Sequence, residues 1–356
     1  MKKLLLALAF AFGVSSVSHA VFTPTIISTD VLQSGTTFYV SSGTVTQLQV
    51  STITNVTSIN GSFPNPNILI NGGFEFWQRG SSTTAAADGV YITDRWEIET
   101  NEATNVTIST DTTVLDSGVY SAKVVITAAG ASKYWRLRQS VENYQEYRGK
   151  TVSLSVRVNA NTASAVRVMI RDSTSVTYSS FHTGGGTWET LVATRTIDAA
   201  TTFLSIYVGG YDVGDKKNGT YYYDSAMLVV GNKPIDFIPD NYQSELAKAQ
   251  RYLYRINNPA ASERTLFMGQ AIDAGTSYGA LSFPVTMRTS PTMTSAGTFG
   301  SWSASGTPGS CTPSSVAMMP QVAYLSCNAA GKVAGNASLV VFSSLNAYLQ
   351  FDAEIP

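Results

Sequence analysis

The segment Thr151-Val152-Ser153-Leu154-Ser155-Val156-Arg157-Val158 alternates without a break. Val152, Leu154, Val156 and Val158 fall on one side, and Thr151, Ser153, Ser155 and Arg157 on the other. A period of two is that of a half-buried strand, not of a helix. Working outward, Ala165 to Arg171 repeats the pattern, with Val166, Val168 and Ile170 on the apolar side. Tyr134 to Val141, Phe203 to Val208 and Tyr221 to Val230 read as further strands. Turn signals separate them: Tyr147-Arg148-Gly149-Lys150, Gly184-Gly185-Gly186, Gly209-Gly210 and Asn218-Gly219. Short strands roughly ten residues apart, with no helical period, predict an antiparallel sandwich.

Phe63-Pro64-Asn65-Pro66-Asn67 marks where this region begins, because two prolines stop regular structure. At its other end, Tyr242 to Tyr252 is rich in helix formers, with Tyr242, Leu246, Ala249 and Leu253 on one side. One short linking helix is expected there. Beyond it, prolines at 259, 284, 291, 308, 313 and 320 punctuate strand-like stretches: Gly279 to Met287, Val322 to Cys327, Ala337 to Phe342 and Tyr348 to Ile355. The expected fold class is all-β: a sandwich over 63–240, a helix over 241–254 and a smaller β domain over 255–356.

Composition narrows the function. The chain has 356 residues and a formal net charge of −1, so no basic excess exists to neutralise phosphates, and no nucleic-acid partner is expected. Charged residues make up 13%, against roughly 25% in ordinary soluble domains, a profile that suits an extracellular β protein. Two histidines and two cysteines exclude zinc clusters, c-type haem and iron–sulfur sites. Lys2 and Lys3, the apolar run Leu4 to Val14, and Ser18-His19-Ala20 have the three parts of a secretory leader, 1–20. The alternative is an N-terminal anchor, but the run is shorter than the roughly 20 residues a span needs. No stable membrane insertion is expected elsewhere. Export permits a disulfide between Cys311 and Cys327, the alternative being two buried thiols.

Residues 21–62 differ from the rest. From Thr44 to Ile59 there is no charge, and Val45, Leu48, Val50, Ile53, Val56 and Ile59 recur at steps of two and three. The segment reads either as an intertwined β stalk of a homotrimer or as a flexible Ser/Thr linker.

A family resemblance rests on several stretches in order: Asn67-Ile68-Leu69-Ile70-Asn71-Gly72-Gly73-Phe74-Glu75-Phe76-Trp77-Gln78-Arg79-Gly80, Tyr91 to Trp96, Leu137 to Val141 with Tyr147 to Val152, Thr187-Trp188-Glu189, and Ile235 to Pro239 with Glu245 to Tyr252. This order resembles jelly-roll modules of bacteriophage tail-fibre and structural proteins. It also looks like the carbohydrate-binding modules of secreted glycosidases. The resemblance implies a jelly roll and a non-enzymatic attachment protein on a virion or cell surface. A cell-surface glycan or receptor would be its partner. The alternative is a secreted carbohydrate-binding accessory module or glycosidase-associated protein. It further implies a structural calcium between opening and late strands, at Glu75 and Asp224; the other reading is that both carboxylates cap turns.

Catalysis finds little footing. Without the leader, His182 is the sole histidine and reads as a surface loop residue beside Gly184-Gly185-Gly186. No GxSxG surrounds a serine. For a glycan, Arg136, Arg138, Arg157, Arg167 and Arg171 fall on polar sides of neighbouring strands, and would line one surface if those strands pair. Guanidinium forks suit carboxylates, so an acidic glycan would fit. Trp77 and Tyr178 (with Phe181) are candidate sugar-stacking aromatics, whereas Trp96, Trp135 and Trp188 read as structural.

Overall fold

The computed structural model describes residues 67–84, 86–101, 105–127, 134–210, 218–260, 262–302 and 309–355. The expected leader at 1–20 and the stalk or linker at 21–62 lie outside them. Phe63–Pro356 forms one compact unit. Its first strands in chain order are β1 (Ser82–Thr83), β2 (Val90–Tyr91), β3 (Glu97–Thr100), β4 (Val106–Asp111), β5 (Ser121–Ile126) and β6 (Trp135–Ser140). Then come β7 (Thr151–Ala160), β8 (Arg167–Asp172), β9 (Val176–Tyr178), β10 (Trp188–Thr196), β11 (Leu204–Gly210) and β12 (Gly219–Val230). They form two antiparallel six-stranded sheets. The first runs β1-β4-β5-β12-β7-β10, the second β2-β3-β6-β11-β8-β9. This is the expected jelly-roll sandwich.

The alternating segment is β7. Val152, Leu154, Val156 and Val158 are fully buried in the core with Trp96, Trp135, Leu137, Ile170 and Val208. Each such side chain withdrawn from water contributes about 1.5–3 kcal/mol. The polar side of β7 is covered too, because the chain after β12 lies across it. Ser153 Oγ donates to the Gly231 carbonyl at 2.9 Å and Ser155 Oγ to that of Ile235 at 3.2 Å. Small hydroxyl residues let backbone approach there and satisfy the carbonyls it brings.

The opening motif is a clamp. Buried Asn71 accepts from Phe76 N at 3.0 Å, and its amide donates to the Phe76 and Asp94 carbonyls, both at 3.0 Å. Gly72 is required because a Cβ there would meet the Ala226 carbonyl oxygen at 2.2 Å. That carbonyl belongs to a bulge in β12 between Asp224 and Met227.

Helix α1 (Tyr242–Gln250) starts at Asn241, whose side chain accepts from Gln243 N. It is shorter than expected, because strand β13 (Leu253–Asn257) already begins at Leu253. Strands β14 (Arg264–Ala271), β15 (Thr276–Ser282), β16 (Thr292–Ala296), β17 (Phe299–Trp302) and β18 (Gly309–Cys311) follow. The last are β19 (Pro313–Met318), β20 (Val322–Asn328), β21 (Ala337–Phe342) and β22 (Tyr348–Asp352). They make a three-stranded sheet, β13-β22-β16, and a seven-stranded one, β18-β17-β21-β14-β15-β20-β19. A second core built on Phe267, Phe299, Phe342, Leu349 and Phe351 lies between them. Cys311 and Cys327 are buried there and joined by a disulfide.

The C-terminal strand docks on the sandwich through charge. Arg95, fully buried, is paired with Glu354 and stacks over Tyr252 at 3.6 Å. Arg79 binds Asp352 at 2.8 Å and Glu354 at 3.4 Å. Tyr91 donates to the Ile355 carbonyl at 2.6 Å.

Candidate functional site: a cleft on the second sheet

The second sheet turns Ile98, Leu137, Ile206, Val208, Val168 and Ile170 to the core. Residues of opposite parity make its outer face, and strand register aligns them in rows. One row is Glu99–Arg136–Gly209–Arg167, the next Glu97–Arg138–Tyr207–Met169–Tyr178, the third Ser140–Ser205–Arg171. Gly209 has φ of 148°, and a Cβ there would meet the Trp135 carbonyl oxygen at 2.5 Å. The row is therefore bare between its two arginines.

Most charges on this face are partnered. Arg136 binds Glu99, with Nε to Oε2 at 3.1 Å, and stacks over Tyr207 at 4.7 Å. Arg138 is ion-paired with Glu97. Arg167 lies over Tyr178 at 3.9 Å and Phe181 at 4.6 Å. Arg171 lies over Phe203 at 5.7 Å, with no carboxylate partner among the described residues.

A cleft of about 490 Å³ opens on this face. Tyr207, Ser205, Ser140 and Arg138 line it from the sheet, together with Phe203 and Arg171. Tyr144 and Glu142 also line it, and Arg288, before β16, and Ile355, after β22, enter from the C-terminal region. Aromatic rings beside hydroxyls and guanidinium groups can stack on an apolar face of a ligand and bind its polar edge. The Tyr207 hydroxyl has no hydrogen-bond partner among the described residues. The cleft's two carboxylates are both engaged, Glu99 by Arg136 and Glu142 by Arg251 at 2.9 Å. Burial raises the Glu142 pKa, but bonds from Arg251 and Tyr252 outweigh it and hold the carboxyl below its ordinary range. Glu142 is thus no proton donor at neutral pH.

Of the sequence candidates, the cleft gathers Arg138 and Arg171. Arg136, Arg167 and Tyr178 share the sheet face but lie outside the cleft lining. Arg157 is a correction: it is on the first sheet, bound to Asp116 at 2.7 Å, because β7 and β6 join opposite sheets. Trp77 is a second: it packs against the sandwich core, and its Nε1 donates to the Phe74 carbonyl at 2.6 Å. His182 is a third. It is 1% exposed, its Nε2 lies 3.1 Å from the Val158 and Thr187 carbonyls, and its Nδ1 accepts from Gly184 N. Nδ1 also lies 3.6 Å from Glu189 Oε1. Trp96 and Trp135 are core, as expected, but Trp188 starts the edge strand β10 and stays outside the core. Tyr207, Phe203 and Tyr144 were missed, and so was Arg288. The signal for Tyr207 was present, an aromatic at the polar parity of Leu204-Ser205-Ile206-Tyr207-Val208.

Glu75 and Asp224 both bond the loop between β4 and β5. Glu75 Oε1 accepts from Val119 N at 2.7 Å. Asp224 accepts from Asp116 N at 3.1 Å, Ser117 N at 3.0 Å and Ser225 N at 2.6 Å. Calcium needs carbonyl, carboxylate and water oxygens around it. These carboxylates face N–H donors instead, so the set as placed fits loop capping and does not fit calcium. Burial, aided by the Asp116 charge, pushes Asp224 up to about 6 against those bonds.

No protein-family model matches the sequence. No curated protein matches it. Solved structures similar to it include the C-terminal family 22 carbohydrate binding module of Clostridium thermocellum Xyn10B. That match has 15% identity over 49% of this chain and 100% of the module, with a TM-score of 0.34. A cyclase from Fischerella sp. TAU matches at 13% identity over 48% of this chain and 98% of the cyclase, TM-score 0.35. TmCBM61 in complex with beta-1,4-galactotriose matches at 15% identity over 46% of this chain and 99% of that one, TM-score 0.30. Among the described residues no helix is long and apolar enough to cross a membrane.

Proposed function

We propose that the sandwich is a glycan-binding module that holds its ligand, without turnover, in the cleft on the second sheet. One observation carries this: Tyr207, between Arg138 and Ser205 in the cleft lining, has a hydroxyl with no hydrogen-bond partner among the described residues, beside Phe203 and Tyr144. Aromatic surface for a pyranose face, with donors beside it for hydroxyls, is what a sugar requires. The two cleft carboxylates serve arginines, which argues against acid–base hydrolysis. An exported, extracellular protein of the secreted carbohydrate-binding type is the setting that suits this module. A glycan array probed with the wild-type protein and with Tyr207→Phe tests the reading. The expected result is a restricted set of ligands whose signal drops several-fold in the variant. Ligands unaffected by Tyr207→Phe and by Phe203→Ala would refute the cleft as the site.

A second setting, a trimeric virion fibre or attachment protein, is favoured by the uncharged β-branched run of 44–59. Light scattering on the full mature chain and on a version starting at Asn67 separates the two. A trimer that becomes a monomer on truncation supports the fibre; a monomer throughout refutes it.

A further inference from the structure

The charges around the cleft do not cancel. Arg138 is paired with Glu97, Glu99 with Arg136, and Glu142 with Arg251. Among the described residues two guanidinium groups in the lining form no ion pair, although Arg288 lies within the field of Glu142, the carboxylate that Arg251 binds. The Arg171 guanidinium, from β8, lies over the face of Phe203 and has no carboxylate partner among the described residues. Arg288, from the segment before β16, donates Nε to the Ala353 carbonyl at 2.7 Å and Nη2 to the Glu354 carbonyl at 2.8 Å. Those carbonyls fix its position without neutralising it. The Nη1 donors have no partner among the described residues. Two guanidinium groups lining one cleft, with a single carboxylate shared between Arg251 and Arg288, leave an excess of positive charge that a ligand anion would offset.

Building on the reading of the cleft as a glycan site, we propose that its ligand is a carboxylate-bearing saccharide, of the uronic-acid class. The acid group is bound by Arg171 of the sandwich and Arg288 of the C-terminal region, while the sugar ring packs against the half-buried Phe203 and Tyr144 and bonds the Tyr207 hydroxyl. A planar carboxylate matches the guanidinium fork, which a neutral sugar hydroxyl cannot do. The C-terminal region then completes the site, since it supplies one of its two charges.

Affinity electrophoresis through polygalacturonate, alginate and hyaluronan, each beside its carboxyl-reduced derivative, tests this, with dextran sulfate and dextran as a further pair. Retardation by at least one acidic polymer is expected, falling about tenfold on carboxyl reduction. Arg171→Gln should lose about as much, and Arg288→Lys less, because it keeps the charge and loses the fork. Melting curves check that both variants fold; Arg171→Gln breaks no hydrogen bond that the structure shows. Equal retardation by the carboxyl-reduced polymers would overturn the proposal and leave the glycan reading standing. Retardation by dextran sulfate alone would overturn the carboxylate assignment. Retardation by none of the acidic or neutral polymers would overturn both.

Discussion

Replacing Glu354 by Gln tests how the two halves of the compact unit are joined. The Glu354 side chain is 4% exposed and is paired with Arg95, itself 2% exposed, and with Arg79. Arg79 keeps Asp352 when Glu354 is neutralised. Arg95 keeps only the Ser140 carbonyl at 2.8 Å and the Tyr252 ring. A guanidinium left buried without its counter-ion costs about 3–5 kcal/mol. Replacing both partners by leucine removes the uncompensated charge along with the pair, so the double variant should recover most of that loss. Urea denaturation of the wild type, Glu354→Gln and Arg95→Leu/Glu354→Leu measures all three. A Glu354→Gln loss below about 1 kcal/mol, or a double variant no better than the single one, would refute a buried charge clasp.

Other consequences are open to simple assays. Burial raises Asp94 to about 6 despite two bonds from Gln78, and Asp224 is raised to about 6 as well. A folded pKa above the unfolded one contributes stability that is complete below the unfolded value near 4 and is lost as pH rises through the folded value. Stability should therefore increase between pH 7 and pH 4.5, by at most about 3 kcal/mol for each group. The opposite slope in urea midpoints would contradict this assignment. Asp111, held down to about 2 because bonds from Thr113, Val114 and Lys123 outweigh desolvation, opposes the trend only at more acid pH. Reducing the Cys311–Cys327 bridge, or replacing both residues by Ser, should cost about 3 kcal/mol, read from the same curves. With Glu75 and Asp224 serving as caps, chelation by EGTA should leave the melting temperature unchanged; a clear drop restored by calcium would overturn the capping account.

Much of the sandwich was legible because its strands alternate. Val152 to Val158, Val166 to Ile170 and Leu204 to Val208 declare a core side and an outer side on their own. Alternation does not reveal which strands pair. Consecutive strands β6, β7 and β8 cross between sheets, so Arg157 parted from the other four arginines, while β11 came between β6 and β8. Strand β14 was hidden for another reason. A bulge between Thr265 and Phe267 buries the adjacent Leu266 and Phe267 together and breaks the period. His182 looked like a loop residue and is one, but the turn after it folds back until Gly186 N bonds the Ala160 carbonyl, which encloses the ring. The opening motif was noticed for its pattern; its residues prove to be scaffold. The cleft was half legible: Arg138 and Arg171 could be named from parity, but Arg288 lies more than a hundred residues away in the chain, and only tertiary packing brings it into the cleft lining.

The most direct test of the central claim is a crystal structure of the protein with the strongest ligand from the glycan array. The account predicts a sugar in the cleft packed against Phe203 and Tyr144, within hydrogen-bond reach of the Tyr207 hydroxyl and bounded by Arg171 and Arg288. A ligand seated on the first sheet, or at the loops around Asp224, with the cleft holding only solvent, would contradict it.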